Sequence, residues 1–142
     1  MLFTWGDSSL GKCGVGFQQE RQLTPNLVRG SLVEERVVGV SLGFEHSGCV
    51  TESGHVYTWG NNYYGRLGLG DENNRYSPTL VEALAGEFCV QISCGGYHTM
   101  AINREGQLYV WGKADARLGL GSMGRGEVRN PRRSCMIGID RF

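Results

Sequence analysis

Two histidines, each followed by a hydroxyl residue, are the side chains of this sequence best suited to chemistry. His46 precedes Ser47, and His98 precedes Thr99. A histidine near a hydroxyl group is the arrangement that nucleophilic catalysis needs. Residues adjacent in a strand point to opposite faces, however, and no third group is placed to orient either imidazole. We therefore predict no catalytic residue and no enzyme activity of the chain's own.

The same histidines raise the question of a metal site. His46, Cys49, Cys94 and His98 are all of the types that bind zinc. Both histidines occupy one position of an internal repeat, and we expect equivalent positions in successive units to lie far apart. Each histidine should then hydrogen-bond to backbone within its own unit. We predict no metal site.

A glycine-rich stretch offers a third kind of chemistry. Gly65, Gly68 and Gly70 follow one another in a pattern that looks like a phosphate-binding loop. The spacing differs from that of nucleotide-binding loops, and no helix pattern follows it. The stretch also recurs along the chain, as a structural turn would. We therefore predict no cofactor.

All these residues belong to an internal repeat of about 52 residues. Trp5 stands 54 residues before Trp59, which stands 52 before Trp111, and a glycine-rich stretch follows each tryptophan. The segment around His46 returns around His98, 52 residues later. Prolines recur at intervals of 53 residues, at Pro25, Pro78 and Pro131.

Each unit carries the signals of short strands separated by tight turns. Alternating apolar residues and glycine turns at Gly54 and Gly106 predict hairpins. A segment after proline predicts an outer strand, because proline is tolerated at sheet edges. The predicted strands are Val37–Leu42, His46–Thr51, Val56–Trp59 and Thr79–Ala83, then Phe88–Cys94, His98–Asn103 and Leu108–Trp111.

Three or four antiparallel strands in about 52 residues are one blade of a β-propeller. A blade cannot bury both of its faces alone and must pack against its neighbours. We therefore predict an all-β, partial propeller, with a partial unit at residues 1–36, a full repeat at 37–87 and a full or degenerate one at 88–142. The last unit is degenerate because Ala116 replaces its first loop glycine.

The repeated positions are expected to be structural. The tryptophans supply large apolar plates between blades, and the glycines supply turns. The structural set is Trp5, Trp59, Trp111, Gly60, Gly68, Gly70, His46 and His98.

Composition narrows the class of protein. Fourteen basic residues balance fourteen acidic ones, so no global field attracts nucleic acid or a membrane surface. Arg129, Arg132 and Arg133 form a small basic cluster, which leaves phosphate or chromatin contact as an alternative. Five cysteines without a C-x-x-C pair, and no signal-like or membrane-spanning segment, predict a reduced intracellular compartment, cytoplasmic or nuclear.

The repeated motifs resemble the regulator of chromosome condensation repeat, which forms seven-bladed propellers. The likeness lies in Val56–Gly70 and Gly95–Thr99 and covers nearly the whole chain. It implies a protein-interaction module with a protein partner. It also allows two alternatives: a guanine-nucleotide exchange factor for a Ran-like small GTPase, or a targeting arm of a larger ubiquitin ligase or kinase.

One variable loop is the best candidate for partner binding. It is polar and charged, and the repeat does not require its sequence. Recognition tends to reside in such loops, because the scaffold holds them rigidly and tolerates change there. The candidate residues are Asp71, Glu72, Arg75 and Tyr76.

Overall fold

The computed structural model describes residues 1–114, Leu118, Leu120 and residues 126–134. Ala116, which replaces the first loop glycine of the last unit, lies outside these residues, as does Cys135, one of the five cysteines. No helix in the described part of the chain is long and apolar enough to span a membrane. The strands are β1 (Phe3–Asp7), β2 (Arg21–Leu27), β3 (Val37–Leu42), β4 (His46–Thr51), β5 (Val56–Gly60), β6 (Arg75–Leu80), β7 (Cys89–Cys94), β8 (His98–Asn103), β9 (Leu108–Ala114) and β10 (Gly126–Arg133).

The strands form three antiparallel sheets, in which consecutive strands are neighbours. β3, β4, β5 and β6 make one four-stranded sheet, and β7, β8, β9 and β10 make a second. We call these the first and second blades. β1 and β2 form a two-stranded sheet, which we call the half-blade. The predicted all-β antiparallel fold class is confirmed.

The inner hairpin of each blade forms as its glycine turn predicts. The bounds predicted for β4 and β8 are those observed. Gly54 closes the first hairpin with a positive φ of 84°, and its amide donates to the Thr51 carbonyl at 2.9 Å. A Cβ on Gly54 would lie 2.7 Å from the ring of Phe88, so this turn also contacts the start of the second blade.

The predicted outer strand is displaced along the chain. It was expected at Thr79–Ala83, but β6 begins at Arg75, ends at Leu80, and is followed by a 3-10 helix over Glu82–Leu84. Pro78 therefore lies inside the strand and not before it. Proline has no backbone N–H to donate, and an outer strand has one edge at which no hydrogen bond to a neighbouring strand is required.

The main hydrophobic core lies between the two blades. It joins Val50 and Val56 of the first blade to Ile92, Ala101 and Trp111 of the second. A smaller core joins the first blade to the half-blade and the segment after it. Every residue of β4 is buried, because this strand has a sheet packed on each side.

Tryptophan and glycine interlock at both contacts between sheets. Trp59 and Trp111 are 1% and 0% exposed, as the repeat predicts. A Cβ on Gly14 would lie 2.8 Å from the indole nitrogen of Trp59. A Cβ on Gly68 would lie 2.7 Å from that of Trp111. Only glycine lets the loop backbone of one unit lie flat on the indole of the next.

Trp5 departs from this pattern. It was expected to be a structural plate like its two counterparts, but it is 64% exposed. Trp59 and Trp111 are each covered by the glycine loop of the preceding unit, and the described residues contain no such loop before β1. The expectation that Trp5 is buried is therefore wrong for this chain.

The contrast between the tryptophans gives a stability test. Trp59→Ala should lower the free energy of unfolding by about 3–5 kcal/mol, because it removes a buried indole from a packed contact. Trp5→Ala should change it by less than about 0.5 kcal/mol. Urea unfolding followed by circular dichroism measures both. Equal losses in the two variants would contradict the interlocking role of Trp59.

Candidate functional site

His46 forms a hydrogen bond between the first and second blades. Its Nε2 lies 2.8 Å from the Oγ1 of Thr99, which belongs to the second blade. The Thr99 hydroxyl donates its proton to the Arg66 carbonyl at 2.6 Å. Since that proton is committed, the His46 Nε2 must be the donor to Thr99. The expectation that His46 bonds to backbone within its own unit is wrong, because the repeat brings the next blade's hydroxyl within reach.

Burial keeps His46 neutral. The side chain is 1% exposed, and its Nδ1 has no hydrogen-bond partner among the described residues. Burial, the Arg66 guanidinium and His98 together lower the pKa of His46 to about 3. A neutral imidazole whose Nε2 proton is shared with Thr99 holds two blades together. A general base would instead have its proton on Nδ1, held by a carboxylate or carbonyl, and leave Nε2 free to accept a proton.

The two repeated histidines are not far apart. His46 hydrogen-bonds at 2.8 Å to Thr99, the residue directly after His98, so the expectation of a wide separation is wrong. In the described ranges no three histidine, cysteine, aspartate or glutamate side chains are grouped to hold a metal ion. Burial also raises the pKa of Cys49 and of Cys94 to about 12. These thiols stay protonated at neutral pH, the form that neither attacks nor binds metal.

The glycine-rich loop contacts the next blade. Gly65 has a φ of 68°, and a Cβ there would lie 2.7 Å from the Cα of Arg129 in β10. Thr58 of β5 donates to the Leu67 carbonyl at 2.7 Å, and the half-blade repeats this bond between Thr4 and its own loop. The loop is a structural turn in both units.

Arg66 lies inside this loop and was missed by sequence reasoning. Its side chain is 1% exposed. Its Nε donates to the Tyr63 carbonyl at 2.9 Å, and its Nη1 donates to the Gly96 carbonyl at 3.0 Å. Glu45 lies 3.5 Å from the same Nη1. The signal was present, since a basic residue stands at this loop position in every unit: Lys12, Arg66 and Arg117.

The predicted binding loop is held by ion pairs. Arg75 Nη2 lies 2.8 Å from the Oδ2 of Asp71, and the other carboxylate oxygen accepts from the Asn62 amide at 2.9 Å. These hydrogen bonds lower the pKa of Asp71. Glu72 instead extends to the second blade, 3.0 Å from Arg129. The structure thus brings three of the four candidate residues into one rigid surface.

Tyr76, the fourth candidate, faces the half-blade. A Cβ on Gly11 would lie 2.8 Å from its ring, and its carbonyl accepts from the Gly16 amide at 2.8 Å. Its side chain is half-buried. Tyr76 therefore belongs to the contact between the half-blade and the first blade as well as to the loop.

A row of aromatic rings beside the loop was also missed. Tyr63 and Tyr64 have ring centroids 4.2 Å apart, and Tyr64 meets Tyr97 edge-on at 5.8 Å. Lys113 Nζ lies 5.2 and 5.3 Å above the rings of Tyr64 and Tyr97. A Cβ on Gly96, the residue before Tyr97, would lie 3.5 Å from the Phe44 ring, so we count Phe44 with this row. These positions vary between units, so the repeat could not reveal them.

The basic cluster near the end of the described residues is partly engaged. Arg129 pairs with Glu72 and with Glu127. Arg132 and Arg133 lie in the same outer strand, β10. The positive charge of Arg129 is therefore neutralised by two carboxylates, which weakens the prediction that the cluster contacts phosphate.

The repeated geometry matches a known family. The model of the Regulator of chromosome condensation (RCC1) repeat matches residues 1–50 and 53–102, and a second model of that repeat matches residues 37–66. The chain belongs to the RCC1 repeat family. Its glycine loops, inter-blade tryptophans and inner hairpins are the features of this family that the structure describes.

Relatives of this RCC1-repeat chain include very long proteins. It is 36% identical over 135 residues to the probable E3 ubiquitin-protein ligase HERC4 of Rattus norvegicus, covering 93% of the chain and 12% of the relative. It is 41% identical over 133 residues to the probable E3 ubiquitin-protein ligase HERC3 of Homo sapiens, again covering 93% and 12%. The chain therefore spans about an eighth of these relatives.

Solved propellers share the fold. Human WBSCR16 superposes with a TM-score of 0.76 at 32% identity, covering 92% of the RCC1-repeat chain and 34% of that protein. Yeast RCC1 (Prp20), solved bound to Kap60, superposes with a TM-score of 0.82 at 19% identity, covering 92% and 32%. The latter likeness shows the fold alone.

Neutral His46 makes stability depend on pH. Its pKa is about 3 when folded and about 6.5 when unfolded, so the unfolded chain binds more protons between these values. The stabilisation is complete above about pH 6.5 and is lost as the pH falls toward 3. His46→Gln keeps a side-chain amide donor but cannot titrate. The stability difference between wild type and His46→Gln should fall by about 2 kcal/mol from pH 7 to pH 5.

Urea unfolding at a series of pH values measures this difference. Subtracting the variant removes the contribution of every other titrating group that the two proteins share. A difference that stays constant across the series would show that His46 is not held neutral between the blades.

Proposed function

We propose that this chain is a protein-interaction module that binds its partner through the face formed by the loop after β5 and the aromatic row beside it. The observation that carries the proposal is the exposure of large aromatic side chains there. Phe44 is 76% exposed and Tyr63 is 58% exposed. Exposed aromatic residues of this kind are enriched at protein interfaces.

The face is also preorganised. The Asp71–Arg75 and Glu72–Arg129 pairs fix the loop on the second blade. These four side chains are between 27% and 46% exposed, so they are held in place while still accessible. Charged side chains of both signs, held in place beside exposed aromatic rings, suit a partner with complementary charges.

Binding fits the site better than catalysis does. His46 is neutral and shares its Nε2 proton with Thr99, and the thiols of Cys49 and Cys94 are protonated. The imidazole of His46 and the two thiols therefore contribute to the contacts between sheets and are not in reactive forms. The exposed groups of the face offer apolar area and charge, which are means of recognition.

At the level of the whole protein we favour a targeting role within a larger ligase. This role is supported by the E3 ubiquitin-protein ligase relatives, which are about eight times as long as this chain. Guanine-nucleotide exchange on a Ran-like GTPase is the alternative. Its support is that the structure of Prp20p of Saccharomyces cerevisiae, which has a similar fold, was solved together with its binding properties to Gsp1p and histones.

Truncating Phe44 and Tyr63 should remove most of the binding without unfolding the chain. The double variant Phe44→Ala, Tyr63→Ala should retain less than about a tenth of the partners captured by wild type from cell extract, because each side chain supplies exposed contact area. Leu23→Ala is the matched control, since Leu23 is 86% exposed on β2, away from the row. Quantitative mass spectrometry of the captured proteins measures the loss.

The same variants separate the two functions of the whole protein. Release of fluorescent GDP from a Ran-like GTPase, faster with wild type than with the double variant, would favour nucleotide exchange. Capture of other proteins with no change in GDP release would favour targeting. Equal capture by wild type and double variant would reject the proposed face.

A further inference from the structure

A polar cavity lies between the first and second blades, at the ends of β4 and β8 that point away from the aromatic row. Its volume is about 320 Å³. Its lining comes from the turn after β4, the segment between β6 and β7, and the turn after β8. Both sheets that contribute to it are four-stranded, so the cavity belongs to the contact between two blades. The charged residues of the lining are Glu87, Arg104 and Glu105.

Glu87 presents a carboxylate in a fixed orientation. Its Oε2 accepts from the Asn103 amide at 2.8 Å. Asn103 is 1% exposed, and its own Oδ1 accepts from the Gln107 backbone amide at 2.8 Å, so this donor cannot turn away. Hydrogen bonds from Asn103 and Tyr109 lower the pKa of Glu87. The carboxylate is therefore ionised at neutral pH.

The groups that hold Glu87 are neutral. Arg133 acts on its pKa through charge, but in the described part of the chain no lysine, arginine or histidine forms an ion pair with it. An ionised carboxylate has about four lone-pair sites, so these neutral donors leave room for a cation. Arg104, the basic residue of the lining, is paired with Glu105 at 2.9 Å. The charge left at the cavity is that of Glu87.

The first blade shows what stands beside the same carboxylate one repeat earlier. Glu35 is the counterpart of Glu87, 52 residues before it. Its Oε2 accepts from the Ser53 hydroxyl at 2.9 Å, and its Oε1 lies 3.3 Å from the Nδ1 of His55. A basic side chain of the chain itself therefore lies against the carboxylate in the first blade.

The second blade has lost this basic side chain. Gln107 takes the position of His55, and its side-chain oxygen accepts from Asn103. Glu105 takes the position of Ser53 and pairs with Arg104. The repeat thus keeps the carboxylate and its orientation in both blades, while the second blade replaces its cationic neighbour with a cavity.

An aromatic ring completes the lining. Phe88 follows Glu87 directly and is 36% exposed. The guanidinium carbon of Arg104 lies 5.1 Å from the centre of this ring, while its Nε bonds to Glu105. One guanidinium is thus already bound here between a ring and a carboxylate. The methylene groups of a long basic side chain pack well on such a ring.

We propose that this cavity binds an arginine side chain of a partner protein, whose guanidinium donates to Glu87 and whose methylene groups pack on Phe88. Arginine fits better than lysine, because a planar guanidinium can bond to a carboxylate through two parallel N–H groups. The inference goes beyond the proposed function, since the cavity and the aromatic row lie at opposite ends of β4 and β8.

The probe is the capped tripeptide N-acetyl-glycyl-arginyl-glycine amide, titrated into the full chain labelled with ¹⁵N. We expect saturable changes in the amide resonances of Glu87, Phe88 and Arg104, with a Kd of about 1–10 mM, as suits one ion pair with one ring contact. The same peptide with citrulline in place of arginine has nearly the same shape and no charge. It should bind at least about tenfold more weakly.

Variants of the chain make the test specific. Glu87→Gln should weaken binding about tenfold, because it removes the charge while its amide oxygen can still accept from Asn103. Glu52→Gln is the matched control, since Glu52 is an exposed carboxylate of the turn after β4 that does not line the cavity; it should leave the Kd unchanged. Phe88→Leu, which keeps an apolar side chain, should weaken binding about threefold. Dispersed amide resonances show that each variant is folded.

The test is independent of the proposed function. The Phe44→Ala, Tyr63→Ala chain should bind the arginine peptide as wild type does, whatever its effect on capture from extract. Three outcomes would overturn the inference: no saturable change up to about 20 mM peptide, equal binding of the arginine and citrulline peptides, or equal losses in Glu87→Gln and Glu52→Gln. Tighter binding of free L-arginine than of the capped peptide would also overturn it, because the occupant would then be a small molecule.

Discussion

The fold depends on the contact that each sheet makes with the loop backbone of the sheet before it. The Lys12 carbonyl accepts from the Trp59 indole at 3.0 Å and from the Ser47 hydroxyl at 2.8 Å, so one backbone group of the half-blade binds two strands of the first blade. Gly14 lets the loop lie flat on the indole. A four-stranded sheet of this size has two apolar faces, and without such contacts it could not bury them.

The contact between the first and second blades repeats the contact between the half-blade and the first blade, with two differences. Thr99 donates to the Arg66 carbonyl at 2.6 Å, but the Nε1 of Trp111 has no partner among the described residues. His46 adds a bond to Thr99, and burial keeps its imidazole neutral. Because a neutral donor carries no charge into the core, the bond avoids most of the desolvation cost that a charged one would incur.

Sequence predicted the elements whose signals are local and recur in register. The inner hairpins, the glycine turns and the burial of Trp59 and Trp111 follow from residues that each unit repeats. The exposure of Trp5 and the partner of His46 could not be predicted in this way, because both depend on which neighbouring sheet is present and how it sits. The outer strand was predicted at the wrong position because a proline indicates an edge strand but does not indicate where within that strand it lies.

The candidate site was harder to predict for the same physical reason. Repetition identifies what a blade needs in order to pack, and recognition resides in what differs between blades. The charged loop was visible as a variable stretch, but Tyr97 meets Tyr64 only when two blades pack side by side. Arg66 links the two roles, since its carbonyl receives Thr99 while its guanidinium lies 5.1 Å from the Tyr97 ring. The contact that holds the blades together therefore also positions the aromatic face.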